Sequence, residues 1–104
     1  MATSSVETFK KDDLGKPRVS LVEKDFILGA AKVLTLGAKK YGVNNWKLGS
    51  SVEDIARYKD ALLRHTLAYT SGEELDPETG LSHAYHAACN LMFLDFFERN
   101  KPVH

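Results

Sequence analysis

The sequence predicts an all-α fold: a compact three-helix domain with an extended N-terminal segment, assembling as a homo-oligomeric helical bundle. Three observations lead there. Apolar residues recur at intervals of three and four in three separate stretches. Each stretch is bounded by residues that start or stop helices. A chain of 104 residues forms one domain with a thin core, so three amphipathic helices leave apolar surface for further copies to cover.

The first helix is expected from about Glu23 to Tyr41. Phe26, Ala30, Val33, Gly37 and Tyr41 share one face, widened by Ile27, Ala31, Leu34 and Ala38. Glu23 and Asp25 suit the positive end of the helix dipole, and Lys39 and Lys40 the negative end. Gly42 suits the position after the last turn. Ser50 and Glu53 have capping-box spacing, placing the start of a second helix that runs to about Ser71 and stops at Gly72. Ile55, Tyr58, Leu62, His65 and Tyr69 share its face. Ser82 caps a third helix to about Arg99, with Tyr85, Cys89, Met92 and Phe96 along one side and His83, His86 and Asn90 along another. Short connections make successive helices antiparallel. Pro17 biases Lys16 to an extended conformation, and Val19–Val22 reads as an extended segment. The domain organisation is thus a flexible tail over 1–15, a single helical domain over 16–100 and a short tail over 101–104.

Fourteen basic and fourteen acidic residues cancel, which argues against a nucleic-acid binder, since such proteins carry a basic excess. A small phosphorylated ligand needs only a few local cations. No apolar run approaches the roughly 18 residues of a membrane span, and Met1–Thr8 has no apolar stretch of a signal peptide. One cysteine, Cys89, permits no internal disulfide and fits a reducing, cytoplasmic setting. No phosphate-binding glycine loop, dinucleotide fingerprint or nucleophile elbow is present, and Cys89 reads as a packed thiol rather than a nucleophile.

The densest chemistry lies between Arg64 and His86. Gly72–Gly80 holds four carboxylates, Glu73, Glu74, Asp76 and Glu78, flanked by Arg64, His65, His83 and His86. Carboxylates and neutral imidazoles ligate divalent metals, and Arg64 can grip a phosphate with two parallel hydrogen bonds. His83 and His86, three apart at a helix start, can serve one metal or one phosphate. The same residues are also compatible with a solvated acidic loop and locally satisfied histidines. A second group is Lys40, Asn45 and Trp46. Trp46 could stack on a base or, preferably on residue type, anchor the core; Lys40 and Asn45 are not needed for packing and are free for a ligand. Lys16 and Arg18, on either side of Pro17, could reach a phosphate.

Ordered along the chain, Lys16-Pro-Arg-Val-Ser-Leu-Val22, Val33-Leu-Thr-Leu-Gly-Ala-Lys-Lys-Tyr-Gly42, Asn45-Trp46, Asp60-Ala-Leu-Leu-Arg-His65, Gly72-Glu73, Asp76-Pro-Glu-Thr-Gly-Leu-Ser-His83 and His86-Ala-Ala-Cys-Asn90 resemble the phage-associated dATP/dGTP diphosphohydrolase family, grouped with MazG-like all-α nucleotide pyrophosphohydrolases. The resemblance implies a homo-oligomer in the cytoplasm of an infected or lysogenic bacterial host that uses Mg²⁺ or Mn²⁺ to split a nucleoside triphosphate into monophosphate and pyrophosphate. It implies that Arg64, His65, Glu73, Asp76, His83, His86 and Asn90 surround the phosphates and that Lys40, Asn45 and Trp46 lie near the nucleoside, with Lys16 and Arg18 added as nucleotide contacts from their own chemistry. In a hydrolase the catalytic ligand or base would be Glu73, Asp76 or His83, with Glu73 and Asp76 as the metal ligands. The broader superfamily carries Glu-x-x-Glu and Glu-x-x-Asp on successive helices; here the carboxylates of this region sit in the loop between helices. The alternative is therefore a non-catalytic, metal-free sponge that sequesters a nucleotide-derived immune signal, an ADP-ribose derivative or a cyclic nucleotide, to block antiviral defence. A third reading is a helical interaction module with no ligand.

Overall fold

A computed structural model describes residues 15–101. The expected tails lie outside the described residues, except for Gly15, in a turn, and Lys101, which pairs with Glu98 at 3.2 Å. Three helices form the domain: α1 (Lys24–Tyr41), α2 (Val52–Thr70) and α3 (His83–Arg99). There is no strand among the described residues; the nearest approach is one isolated bridge between Leu75 and Ser82.

The helix boundaries follow from their caps. Glu23 lies just outside α1, where its carboxylate accepts from the amides of Phe26 (2.8 Å) and Asp25 (3.0 Å), two of the donors a helix start leaves unpaired. Two local expectations are corrected. Ser51, not Ser50, caps α2, its hydroxyl accepting from the Asp54 amide at 3.0 Å and donating to the Asp54 carboxylate at 2.8 Å; the two serines are adjacent, and the sequence pattern selected the wrong one. Val19–Leu21 is a single 3₁₀ turn rather than extended chain, closed by hydrogen bonds from Leu21 to Arg18 and from Val22 to Val19.

α2 and α3 pack antiparallel, with distinct chemistry at each end. At the end formed by the start of α2 and the end of α3, Trp46 stacks on Phe93 (centroids 4.6 Å apart) and meets Phe96 and Phe97 edge-on, while Tyr58 packs on Phe93 and Phe97. A short 3₁₀ segment, Asn45–Leu48, delivers Trp46, and the Tyr58 hydroxyl fixes it by donating to the Trp46 carbonyl at 2.9 Å. At the other end, where the acidic loop connects the two helices, histidines take the place of aromatics.

α1 lies on α3 and runs in the same sense. Gly29 permits the crossing: a Cβ there would stand 2.3 Å from the Tyr85 ring. Phe26 meets the same ring edge-on, and the Cys89 thiol approaches the Ala30 carbonyl at 3.4 Å. α3 is thus the common floor beneath α1 and α2, which leave a cleft between them. Cys89, 2% exposed, is the buried hydrophobic side chain among the described residues, joined in burial by His65, His83 and Asn90. Burial pushes the Cys89 thiol up to about 11, as befits a packed thiol without a nucleophilic role.

Candidate functional site

The site begins with how α2 ends. Gly72, at φ +105°, turns the chain back so that its amide donates to Tyr69 and the Glu73 amide to Ala68, closing the paired bonds of a Schellman motif. The acidic loop is then pinned rather than free: Asp76 N donates to Leu81 O at 2.8 Å, Gly80 N to Asp76 O at 2.7 Å, and His83 N to Glu74 O at 2.9 Å. Ser82 caps α3 through the Ala84 amide at 3.1 Å. These closures bring both carboxylates that the sequence selected, Glu73 and Asp76, onto the histidines.

Glu73 Oε1 lies 2.9 Å from His83 Nε2, and His83 Nδ1 lies 2.8 Å from His65 Nδ1. The His65 and His86 rings stack at 4.5 Å, 10° from parallel. Asp76 Oδ2 accepts from both the amide and the hydroxyl of Thr79 at 3.0 Å, and Thr79 Oγ1 lies 2.7 Å from His86 Nε2. With its hydroxyl hydrogen given to Asp76, Thr79 accepts from His86, so the His86 hydrogen sits on Nε2 and the lone pair on Nδ1. Thr79 was not among the residues selected from the sequence. The signal was there: Asp-Pro-Glu-Thr is a turn in which Asp and Thr side chains bond across three residues.

Burial sets the protonation of this group. Desolvation, followed by the nearby charge of His86, depresses the pKa of His65; desolvation also depresses that of His86, partly opposed by Asp76. For Asp76 burial acts upward, but the two Thr79 donors together with His86 and His65 outweigh it and hold its carboxyl below the usual range. Neutral imidazoles beside an ionised carboxylate are the forms that ligate cations. His65, Asp76 and His83 each offer a ligand atom, all within 4.8 Å of one another. The resemblance paired Glu73 with Asp76 as metal ligands; Asp76 lies beside two imidazoles, and Glu73 on the far nitrogen of His83.

Beside the histidines opens the cleft between α1 and α2, about 1270 Å³ in volume, roomy beside the roughly 300–1,000 Å³ of most small-ligand sites. α1 contributes Val33, Gly37 and Tyr41, the connecting loop Asn44, Asn45 and Trp46, α2 Arg57, Asp60 and Arg64, and the α3 floor His86, Asn90 and Phe93. Arg64 is exposed and has no ion pair among the described residues, whereas Arg57 pairs with Asp54. Asn90 is held by donating to the His86 carbonyl at 2.9 Å. Trp46 belongs to the aromatic core, as preferred from its residue type, and also lines the cleft.

Of the residues selected from the sequence, Asn45, Trp46, Arg64, His86 and Asn90 line this cleft together; His65 and His83 lie buried behind His86. Lys40 stands over the Tyr41 ring at 5.2 Å, and Lys16 and Arg18 are exposed; these three lie outside the cleft lining. Arg57, Lys47 and Asp60 line it without having been singled out. No helix among the described residues is long and apolar enough to cross a membrane.

Comparison with known proteins agrees with the resemblance read from the motifs. Residues 6–103 match the family described as dATP/dGTP diphosphohydrolase, N-terminal. A protein of Salmonella phage PMBT28 named dATP/dGTP diphosphohydrolase is 42% identical over 93 residues, covering 89% of this chain and 31% of that protein. The chain thus spans about a third of the length of this curated relative. No solved structure matches. With the motifs, the three-helix architecture and nearly the full length of the family match in agreement, the chain belongs to the dATP/dGTP diphosphohydrolase N-terminal family.

Proposed function

We propose that this chain forms the nucleotide-binding part of a phage-encoded enzyme that hydrolyses dATP and dGTP to the deoxynucleoside monophosphate and pyrophosphate, acting in the cytoplasm of an infected bacterium. The observation that carries this reading is the continuity of the cleft with the histidine–carboxylate cluster: Arg64 stands on one wall and His86 connects the floor to the residues behind it. The name of the Salmonella phage relative supports the substrate class.

In this reading the purine lies toward Asn45 and Trp46, a carboxamide for its edge and an indole for its face. The phosphates lie toward Arg64, whose guanidinium binds their oxygens in bidentate fashion and offsets charge on departing pyrophosphate. Hydrolysis adds water across the bond between the α- and β-phosphates, so a base must take one proton from that water. His86 is the imidazole at the cleft, neutral through burial and carrying its lone pair on Nδ1. It is the proton acceptor; His83, 4% exposed, holds His65 in place from behind.

The Mg²⁺ or Mn²⁺ expected from the resemblance is tested by the chemistry of the donors. Magnesium and manganese favour oxygen ligands, whereas this cluster offers two imidazoles and one carboxylate. The cluster therefore does not fit Mg²⁺, and the roles above are assigned to the chain's own residues.

The protein partner in this reading is a second copy of the chain. Large apolar side chains stand open on all three helices, among them Ile27, Leu28, Leu63, Leu67 and Leu91.

The test is incubation of the purified protein with each deoxynucleoside triphosphate across a series of divalent ions, with chromatography of the products. Monophosphate and pyrophosphate from dATP and dGTP are expected. Arg64→Ala should weaken nucleotide affinity about tenfold or more, the size of one lost charge-assisted contact, with helicity retained. Nucleotide bound but recovered intact under every ion would overturn hydrolysis and leave sequestration.

A further inference from the structure

We infer that His65, Asp76 and His83 form a binding site for an imidazole-preferring divalent transition metal, such as Zn²⁺ or Co²⁺, that discriminates against Mg²⁺. The inference deepens the functional reading by naming the ion class of the same site, and it rests on that reading only for the ion's use, not for its binding.

Four features of the cluster carry it. First, the three residues each present a donor atom within 4.8 Å of the others, close enough for one ion. Second, His83 is oriented as metal-bound histidines are. Its Nε2 lies 2.9 Å from Glu73 Oε1; with the hydrogen on that nitrogen donated to the carboxylate, the Nδ1 lone pair points inward. Third, Asp76 is itself fixed by two donors from Thr79 at 3.0 Å, the support a ligating carboxylate commonly has. Fourth, His65 and His83 are buried, at 8% and 4% exposure, so their rings are held by packing before any ion arrives.

Charge decides between cation and anion. Glu73 lies 2.9 Å from His83, and Asp76 shares the donor cluster with His65 and His83 and stands 3.8 Å from His86. A phosphate placed among them would be repelled, while a cation is attracted to both carboxylates. The inner nitrogens of His65 and His83 are 2.8 Å apart, a separation a shared hydrogen can also fill. Two nitrogens at about 2.0–2.1 Å from a tetrahedral ion stand about 3.3 Å apart, so ion entry needs the rings to part by only about 0.5 Å. Nitrogen donors then set the selectivity: imidazole suits Zn²⁺, Co²⁺, Ni²⁺ and Fe²⁺, while Mg²⁺ holds to oxygen and sheds water reluctantly. Three protein donors leave a coordination position for water or a ligand oxygen.

The experiment is titration of the metal-stripped, full-length protein with Co²⁺, followed by visible absorption and calorimetry, without nucleotide. One Co²⁺ per chain is expected, with ligand-field bands characteristic of nitrogen coordination. Zn²⁺ should displace it, and millimolar Mg²⁺ should not. Glu73→Gln should weaken binding about 10–100-fold through the orientation of His83. His65→Gln and His83→Gln, with helicity checked by circular dichroism, should abolish the bands. Effective competition by Mg²⁺, or bands that survive both glutamine substitutions in folded protein, would overturn the assignment, as would absence of Co²⁺ binding, which would leave the two imidazoles sharing a hydrogen. None of these readouts depends on turnover, so failure here leaves the hydrolytic proposal to its own test.

Discussion

Thr79 sits between the acidic loop and α3 with its hydroxyl giving a hydrogen to Asp76 and taking one from His86. Alanine at this position removes both contacts at once and leaves two partly buried polar groups without that partner. Thr79→Ala should cost about 1–3 kcal/mol, read as a lower denaturant midpoint, and Thr79→Ser should restore most of it. The same residues set the pH response of the metal-stripped protein, in two separate windows. The His65 and His86 pKa values are depressed in the fold from 6.5. As pH falls below that value the unfolded chain binds protons that the folded imidazoles refuse, so stability drops until the folded values are passed. Asp76 is depressed from 3.8, so its contribution is complete above that value and disappears as pH falls through the lower folded one. Thermal unfolding across pH should show both declines; His86→Gln should flatten the upper one and Asp76→Asn the lower. Sequence reading found the histidines and carboxylates because their types are diagnostic. It missed Thr79 because threonine is common in turns and acquires its role only when the loop folds onto His86.

At the scale of elements, the helices were legible and their contacts were not. Periodicity and caps located all three to within a residue or two, yet a capping pattern could not choose between Ser50 and Ser51. Ser51→Ala should cost about 1 kcal/mol and Ser50→Ala close to nothing, a difference that equilibrium unfolding resolves. Gly29 illustrates the larger gap. Within α1 it looks like an ordinary weak helix former; only the Tyr85 ring across the α1–α3 crossing makes its missing Cβ necessary. Gly29→Ala should destabilise by about 1–3 kcal/mol through overpacking, despite alanine's better helix propensity. In a Tyr85→Leu background much of that cost should vanish, and a double-mutant cycle measures the coupling. The cleft escaped sequence reading for the same reason. It is the space left where α1 and α2 stand apart on α3, and no residue pattern within one helix describes a separation between two.

For the whole molecule, the distribution of burial is the unusual feature. The most buried residues combine one thiol with two imidazoles and a carboxamide, while leucines on every helix face outward. Leu63 and Leu67, one turn apart on α2, are 58% and 64% exposed, a ridge suited to a second copy. Sedimentation at micromolar concentration should give an oligomer, and Leu67→Glu should lower its mass while preserving helicity. A monomeric wild-type protein would show that the self-association predicted from the thin core does not occur.

The turn at Gly72 and Glu73 has a kinetic consequence. Because it folds α2 directly back toward α3, the stretch from His65 to His86 encloses the whole imidazole cluster, and closing so short a loop carries a small entropic penalty. The α2–α3 hairpin can therefore assemble before α1 arrives, since contacts near in sequence form early. α1 then docks through Gly29 onto a cluster already in place. Amides of α1 should exchange with deuterium ahead of those flanking the histidines, and transient release of α1 would open the cleft while leaving the histidine cluster assembled throughout.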